Sequence, residues 1–418
     1  MTRPAQTLLI MGLLAVVLFA GEKIDIDGYW KNFFSMANPV EIEGIEDTGP
    51  TGSANYRLNI KLAYDPLDII SLRFSYDIEP RITSGESTAD LFFESFSGST
   101  YRIDDLESPF WPEDFEGEGF ALYQNLDRLY AAFELPFADV RVGRQAVAWG
   151  NARAVNPTDV LVPFSFDALD TEERPGVDAF RARFPIGMMS ELDFGYLPGE
   201  EWDIATMAAF ARGKFYYLET DVTLTAMLFR EDALAGIDIA RAIGGAGSWL
   251  EASFVQPALA IDSLDLDPYF RLTIGADYIL GDGTYLFGEY HYNGAGANDP
   301  AVYLENFSTS RAYSQGGVYL MGQHYLIAGG SYQFTPLISG GGQIMFNATD
   351  ISGLIAPSLE YNIAQNVYLS AGAFIGVGSS MKMGSPAGLF EVPPLDIDFG
   401  SEFGNYPDMA FASFRVYF

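Results

Sequence analysis

The sequence predicts an all-β fold, a transmembrane antiparallel β-barrel of about eighteen strands with short periplasmic turns and long external loops. Three observations carry this reading. The first is alternation. In "SANYRLNIKLAY", Tyr56, Leu58, Ile60, Leu62 and Tyr64 form one face, and Asn55, Arg57, Asn59 and Lys61 form the other. In "IISLRFSYDIE", Ile70, Leu72, Phe74, Tyr76 and Ile78 oppose Ser71, Arg73, Ser75, Asp77 and Glu79. Period two marks a strand with one apolar and one polar side, and tyrosines at both ends of the apolar stripe fit an interfacial girdle. The second is connection length. Long segments at 35–52, 81–118, 150–176, 294–322 and 379–407 alternate with tight ones: "DPLD", "PFAD", "PIGMM", "GDG", "FTPL" and "AQN". The third is the final stretch, "SFRVYF". Phe414, Val416 and Phe418 take lipid-facing phases, and Ser413, Arg415 and Tyr417 take luminal ones.

Element by element, strands are expected to begin near residues 24, 53, 69, 120, 139, 177, 189, 204, 216, 236, 248, 268, 283, 323, 337, 353, 366 and 408. The start of the chain, residues 1–20, has one early cation, Arg3, then an apolar run and small residues, the pattern of a secretory signal peptide. Residues 21–418 then form a single outer-membrane barrel domain, with no room before the first strand for a plug. No later run approaches the roughly 18 apolar residues of a helical span.

Composition narrows the function. The 418 residues include no Cys, which excludes disulfides and thiolate metal sites. The formal net charge of -33 argues against nucleic acid as a partner. Aromatic residues make up 15%, far from the signature of a disordered acidic chain. The partners expected are outer-membrane lipid and the barrel-assembly machinery, the latter through Phe414, Val416 and Phe418, which resemble a C-terminal assembly signal.

Cations concentrate in residues 53–183. By phase, Arg57, Lys61, Arg73, Arg128, Arg141, Arg181 and Arg183 point inward and line one wall. Acids on inward phases are Asp77, Glu79, Glu191, Asp193, Glu219 and Asp221. The 81–118 loop adds Asp104, Asp105, Glu107, Glu113, Asp114, Glu116 and Glu118. If that loop folds inward, its carboxylates stand opposite Arg128, Arg141, Arg181 and Arg183 across a constriction. The alternative is that the arginines simply balance carboxylates of the wall and the loop covers the outer mouth.

The densest local pattern is "VRVGRQAVAWGNARAVNPTDVL", followed by "EERPGVDAFRARF". Gly143-Arg144-Gln145, Trp149-Gly150 with Arg153, and Asp178 with Arg181 make residues 139–184 similar to the alginate-export family of outer-membrane barrels. That resemblance implies eighteen strands and an arginine-lined constriction passing an anionic polysaccharide. A structural reading of the same residues gives Gly143 to a bulge, Asn156-Pro157-Thr158-Asp159 to a turn, and Arg144 to a carboxylate partner.

No enzyme is legible. There are two histidines. "EYHYNG" faintly resembles outer-membrane phospholipases, but Asn293 stands where that mechanism needs a nucleophilic Ser, so His291 reads as a lumen or mouth residue. No cofactor is expected. The acids of "DSLDLD" and "PLDIDFGSE" could hold Ca²⁺ in external loops, without matching a specific loop spacing. The functional expectation is an outer-membrane channel for passive diffusion of small hydrophilic solutes with a charged constriction. Alternatives are export of an anionic polysaccharide, or a barrel sheathing a periplasmic partner.

Overall fold

Each residue of a half-wet strand carries a backbone donor and acceptor that hydrocarbon cannot satisfy, so strands in lipid must pair on both edges. The computed structural model does this by closure. It describes residues 24–38, 49–84, 101–106, 119–164, 166, 168–259, 266–383 and 397–418. The segment expected to be a signal peptide lies outside them. Eighteen antiparallel strands form one sheet that closes on itself. In chain order they are β1 Ile24–Ala37, β2 Thr51–Leu67, β3 Ile70–Thr83, β4 Phe120–Leu135, β5 Ala138–Gln145, β6 Val177–Ile186, β7 Ser190–Leu197, β8 Ala208–Tyr217 and β9 Thr220–Phe229. They continue with β10 Asp232–Ile243, β11 Ala246–Gln256, β12 Tyr269–Ile279, β13 Tyr285–Asn293, β14 His324–Thr335, β15 Ile338–Asn347, β16 Ser352–Ala364, β17 Val367–Val377 and β18 Met409–Tyr417. No described helix is long and apolar enough to cross a membrane.

Every expected strand exists, and the starts differ most at three places. Residues 204–206 form a 3-10 turn, so β8 begins at Ala208 rather than near 204. The β8–β9 connection is Leu218-Glu219, and the β9–β10 connection is Arg230-Glu231, so β9 and β10 begin at 220 and 232. All four turn residues have positive φ, the left-handed backbone that matches the twist of a two-residue hairpin. Outer connections are therefore not all long. Glu219, expected on an inward strand face, lies in this tight turn, exposed, 3.8 Å from Arg241.

Period two holds around the barrel. Leu72, Ile78, Leu129, Phe180, Leu224, Ile274, Ile344 and Leu369 stand exposed on the outer face. Arg57, Asn59, Asp77, Glu251, Thr273 and Ser413 are buried on the inner one. Gly143 does not mark a bulge. Its pairing with Tyr130 and Ala179 runs unbroken, and the register shift falls instead on β4, where Ser75 pairs with Arg128 and Tyr76 with Leu126. Gly143 has φ 118°, and a Cβ there would sit 2.3 Å from the Leu129 carbonyl oxygen. Residues 156–159 do form a turn, closed by Asp159 N–H to the Asn156 carbonyl at 3.2 Å.

The seam joins β1 to β18 in register from Tyr29–Tyr417 to Ala37–Met409. Phe418 extends it with two backbone hydrogen bonds to Gly28, at 2.9 and 3.0 Å, while its ring is 58% exposed on the outer side. At Gly28 a Cβ would meet the Asn59 carbonyl oxygen at 2.3 Å and the Phe418 ring at 3.0 Å. Gly28→Val and deletion of Phe418 should each lower the yield of folded barrel, read as the heat-modifiable band on cold gels. Wild-type yield for both variants would show that the seam tolerates loss of its last rung.

Candidate pore constriction

Residues 146–176 connect β5 to β6, and they run through the lumen because the inner wall offers them partners on nearly every side. On one flank, carboxylates accept the loop's backbone N–H groups. Glu251 accepts from Asn151 N–H at 3.3 Å and from both N–H and Oγ1 of Thr158 at 2.9 and 2.7 Å. Glu289 accepts from the N–H groups of Arg153 and Ala154 and from Trp249 Nε1. Asp238 takes the Asn151 amide, and Asp127 takes Gly176 N–H at 3.0 Å. Thr273 donates to the Val155 carbonyl and shares a 2.8 Å contact with His291, which is buried on the luminal face.

On the opposite flank the signs reverse. The loop supplies the acids and the strands supply the cations. Asp170 lies 3.0 Å from Lys31 and 3.2 Å from Arg57. Glu172 lies 2.8 Å from Lys31 and also pairs with Arg415 and the Tyr417 hydroxyl. Glu173 pairs with Lys61. Arg57 is held from below by a two-pronged contact to Asp77, at 2.9 and 3.1 Å. Lys31 is fully buried. These contacts join β1, β2, β3 and β18 to one loop segment.

The expected wall therefore divides. Arg57, Lys61 and Arg128 reach the loop, Arg128 through the Arg174 carbonyl at 2.6 Å. Arg73, Arg141 and Arg183 lie three residues from the short-turn rim. Arg73 pairs with Asp65 at 2.6 Å and Arg183 with Asp139 at 3.7 Å. Arg181 pairs with Asp193 at 2.6 Å. Arg141, in register with Arg181, has no ion pair among the described residues and sits 5.7 Å from the Tyr130 ring. Glu79 is held by Asn55 and Arg81. Glu191 is in register with Lys214, which pairs with Asp221 at 3.5 Å.

The acidic 81–118 loop does not supply the opposing carboxylates in its described part, residues 101–106. Asp105 pairs with Arg102 and Arg144, and the Asp104 carbonyl accepts from Arg144. Glu107, Glu113, Asp114, Glu116 and Glu118 lie outside the described residues. Arg144 also binds Asp178 at 2.9 Å, so the motif pair Arg144–Asp178 ties β5 to β6. Gln145 donates to the Ala179 carbonyl, Trp149 packs edge-on against Phe210 at 4.7 Å, and Gly150 has φ 117° against the Asn156 side chain. Arg153 reaches Asp277 at 2.7 Å. The carboxylates that meet the cations, Asp170, Glu172 and Glu173, stand beside the motif in "DTEERPG". Only pairing across more than a hundred residues distinguishes them from any solvated acidic run. Of the calcium candidates Asp262, Asp265 and Asp396 lie outside the described residues, and among the described residues no cluster of three or more His, Asp or Glu could hold a metal.

Two further loops lock on. Glu402 accepts from Tyr325 at 2.5 Å, Met321 N–H at 2.9 Å and Asn347 at 2.7 Å. Phe166 packs on Tyr319, Phe403 and Tyr406. Beside them lies a cavity of about 550 Å³ between Phe166, Ala168 and Thr171 and the wall of β13–β17. Its wall includes Ser331, Ser339, Gly341, Gln343, Ser358 and Ser370. The charged flanks thus hold the loop from two sides, and the wall of this cavity is rich in hydroxyls, with Glu360 its one acid among the lining residues.

No family model matches this chain, and no curated protein matches it. Solved structures do. Acinetobacter baumannii OccAB4 aligns with TM-score 0.54 and 9% identity over 95% of this chain and 99% of that one. The outer membrane protein OpdK from Pseudomonas aeruginosa gives 0.54 and 6%, with the same coverages. A BenF-like porin from Pseudomonas fluorescens Pf-5 gives 0.52 and 10%, again over 95% and 99%. The likeness is one of fold. It places the chain among closed eighteen-stranded barrels of porin architecture.

Two predictions follow from the packing. Lys31→Met takes the buried ammonium from Asp170 and Glu172, which keep Arg57 and Arg415. Breaking a lone buried pair costs about 3–5 kcal/mol; with the second cation kept the loss should be smaller, and the variant should melt at lower temperature and protect loop amides less from hydrogen exchange. Unchanged protection would mean the ion pairs do not hold the loop. The second concerns pH. Burial pushes the Asp159 carboxyl up to about 7 against the pull of Arg174, Arg212 and Arg271, and burial does the same to Glu402, against its hydrogen bonds from Tyr325 and Met321. The packed loops hold these protons more tightly than unpacked ones do. Loop stability should be full below the ordinary carboxyl range and fall as pH rises toward about 7. Exchange corrected for intrinsic rates should speed up over that window, and less so in Asp159→Asn. A flat profile would refute the linkage.

Proposed function

We propose that the chain is an outer-membrane channel through which small hydrophilic solutes diffuse passively, narrowed by residues 146–176. The observation that carries it is the two-sided lumen. A loop fixed by ion pairs to β1, β2 and β18 leaves a cavity of about 550 Å³ against a wall of serines and glycines. Fixed charges held in pairs cost nothing to reorganise as a solute passes, and hydroxyls replace part of its hydration shell. The net charge of -33 supports a preference for cations at the mouth.

A second reading is export of an anionic polysaccharide, as the similarity of residues 139–184 implies. Arg141, which has no ion pair among the described residues and lies over the Tyr130 ring, favours it. Against it, Arg57, Lys61, Arg73, Arg181 and Arg183 are each matched by a carboxylate, which leaves little basic surface for a polyanion.

Purified barrels in planar bilayers should give discrete conductance steps with cation-selective reversal potentials. The triple variant Asp170→Asn, Glu172→Gln, Glu173→Gln should release the loop and raise the conductance. Folded barrels that conduct nothing would refute the channel. Anion selectivity with retention of an anionic oligosaccharide would move the assignment to export.

A further inference from the structure

The cavity of about 550 Å³ has a floor set by strand register. One inward row across the sheet reads Tyr285, Ser331, Gly341, Ser358, Gly372, Phe411, each paired with the next from β13 to β18. The inward row beside it reads Phe287, Gly329, Gln343, Ala356. Aromatic rings therefore stand at the two ends, with small or polar residues between. The glycines set the rings. A Cβ at Gly329 would meet the Phe287 ring at 2.5 Å, and one at Gly372 would meet the Phe411 ring at 2.5 Å. Each ring leans over the floor because its neighbour has no side chain. At one end Tyr285 and Phe287 stand 6.2 Å apart, 31° from parallel; at the other Phe374 and Phe411 stand 5.7 Å apart, 29° from parallel. Each end is thus a tiled pair of rings. The floor between them spans three strand spacings, from β14 to β17, roughly 14 Å.

The polar groups of this wall are free. Ser331, Ser339, Ser358 and Gln343 line the cavity and make no side-chain hydrogen bond among the described residues. Among the described lining residues there is no cation, and the one acid, Glu360, is neutralised by Arg415. A solute that fits needs C–H faces to lie on rings whose π clouds are negative. It needs hydroxyls at its edge for the serines and Gln343. It needs no net charge, because the wall has no free charge to match one. An aromatic carboxylate brings an unmatched charge, and an aliphatic chain leaves the hydroxyls unused. We infer that this cavity is a binding site for a neutral saccharide of two or more linked rings, one ring stacking at each end and the hydroxyls exchanging hydrogen bonds with the floor between. The inference rests on the channel reading and names the class of its solute.

The test uses the full folded barrel in detergent, titrated calorimetrically with maltose, glucose, sorbitol and benzoate. Maltose should bind at least about tenfold tighter than glucose, which stacks at one end only, and than sorbitol, which has the hydroxyls but no ring. Phe411→Ala should weaken maltose binding by at least about tenfold and bring it near glucose. Ser358→Ala should weaken it about threefold. Gly372→Ala keeps every ring and hydroxyl but displaces the Phe411 ring, so it should weaken maltose binding as well. Folding of each variant is checked by heat-modifiable mobility. Equal binding of sorbitol, tighter binding of benzoate, or undiminished binding by folded Phe411→Ala would overturn the site. If maltose gives no heat while the same preparation conducts in bilayers, the site fails and the channel reading stands. If folded barrels bind maltose but do not conduct, the site stands and the channel reading fails.

Discussion

A strand edge in hydrocarbon has no water to turn to, and the rest of this structure follows from removing that edge. Joining β1 to β18 satisfies the last open ladder. It also fixes which residues face inward, because side-chain direction alternates along a paired ladder between register shifts such as the one at Asp127 on β4. Once the seam is set, Lys31, Arg57, Asp77, Glu251 and Glu289 must all point into one enclosed space. There they meet either water or each other, and an enclosed charge without a partner is expensive.

The long loop between β5 and β6 is the answer to that burden. It brings three acids to the cationic arc and a row of backbone donors to the anionic arc. Its described residues 151–158 and 170–176 meet partners of complementary sign on the wall, so the loop is held from both flanks rather than hinged at one. The interlocking of Phe166 with Tyr319, Phe403 and Tyr406 extends the same layer with apolar contacts. An open cavity remains beside Ser331, Ser339, Ser358 and Ser370.

The barrel was legible because alternation is a local signal, readable in twelve residues such as 53–64. The inward phases of Arg57, Lys61, Arg128 and Arg181 were legible for the same reason. Depth was not. Whether an inward arginine stands at mid-barrel, like Arg57, or near the rim, like Arg141, depends on the stagger between strands, which leaves no mark in composition. Nor could the sequence say which acidic segment turns inward. In the run 104–118 the described Asp105 goes to Arg102 and Arg144, while Asp170, Glu172 and Glu173 meet Lys31, Arg57 and Lys61, because their loop has Glu251 and Glu289 ready to take its backbone.

The partners of Glu172 carry a consequence for how the chain assembles. Lys31 comes from the first strand, and Arg415 and Tyr417 come from the last. The contact between Glu172 and Arg415 spans 243 residues, so it cannot exist until both ends of the sheet have been brought side by side. Until then Asp170, Glu172 and Glu173 have only part of their countercharge, and the loop has less reason to leave water. The part of the narrowing held by Glu172 therefore forms only once β1 and β18 stand side by side. A barrel caught before its final strand docks would be a wide, leaky ring, and the ion pairs that shape the passage double as the catch that reports its completion.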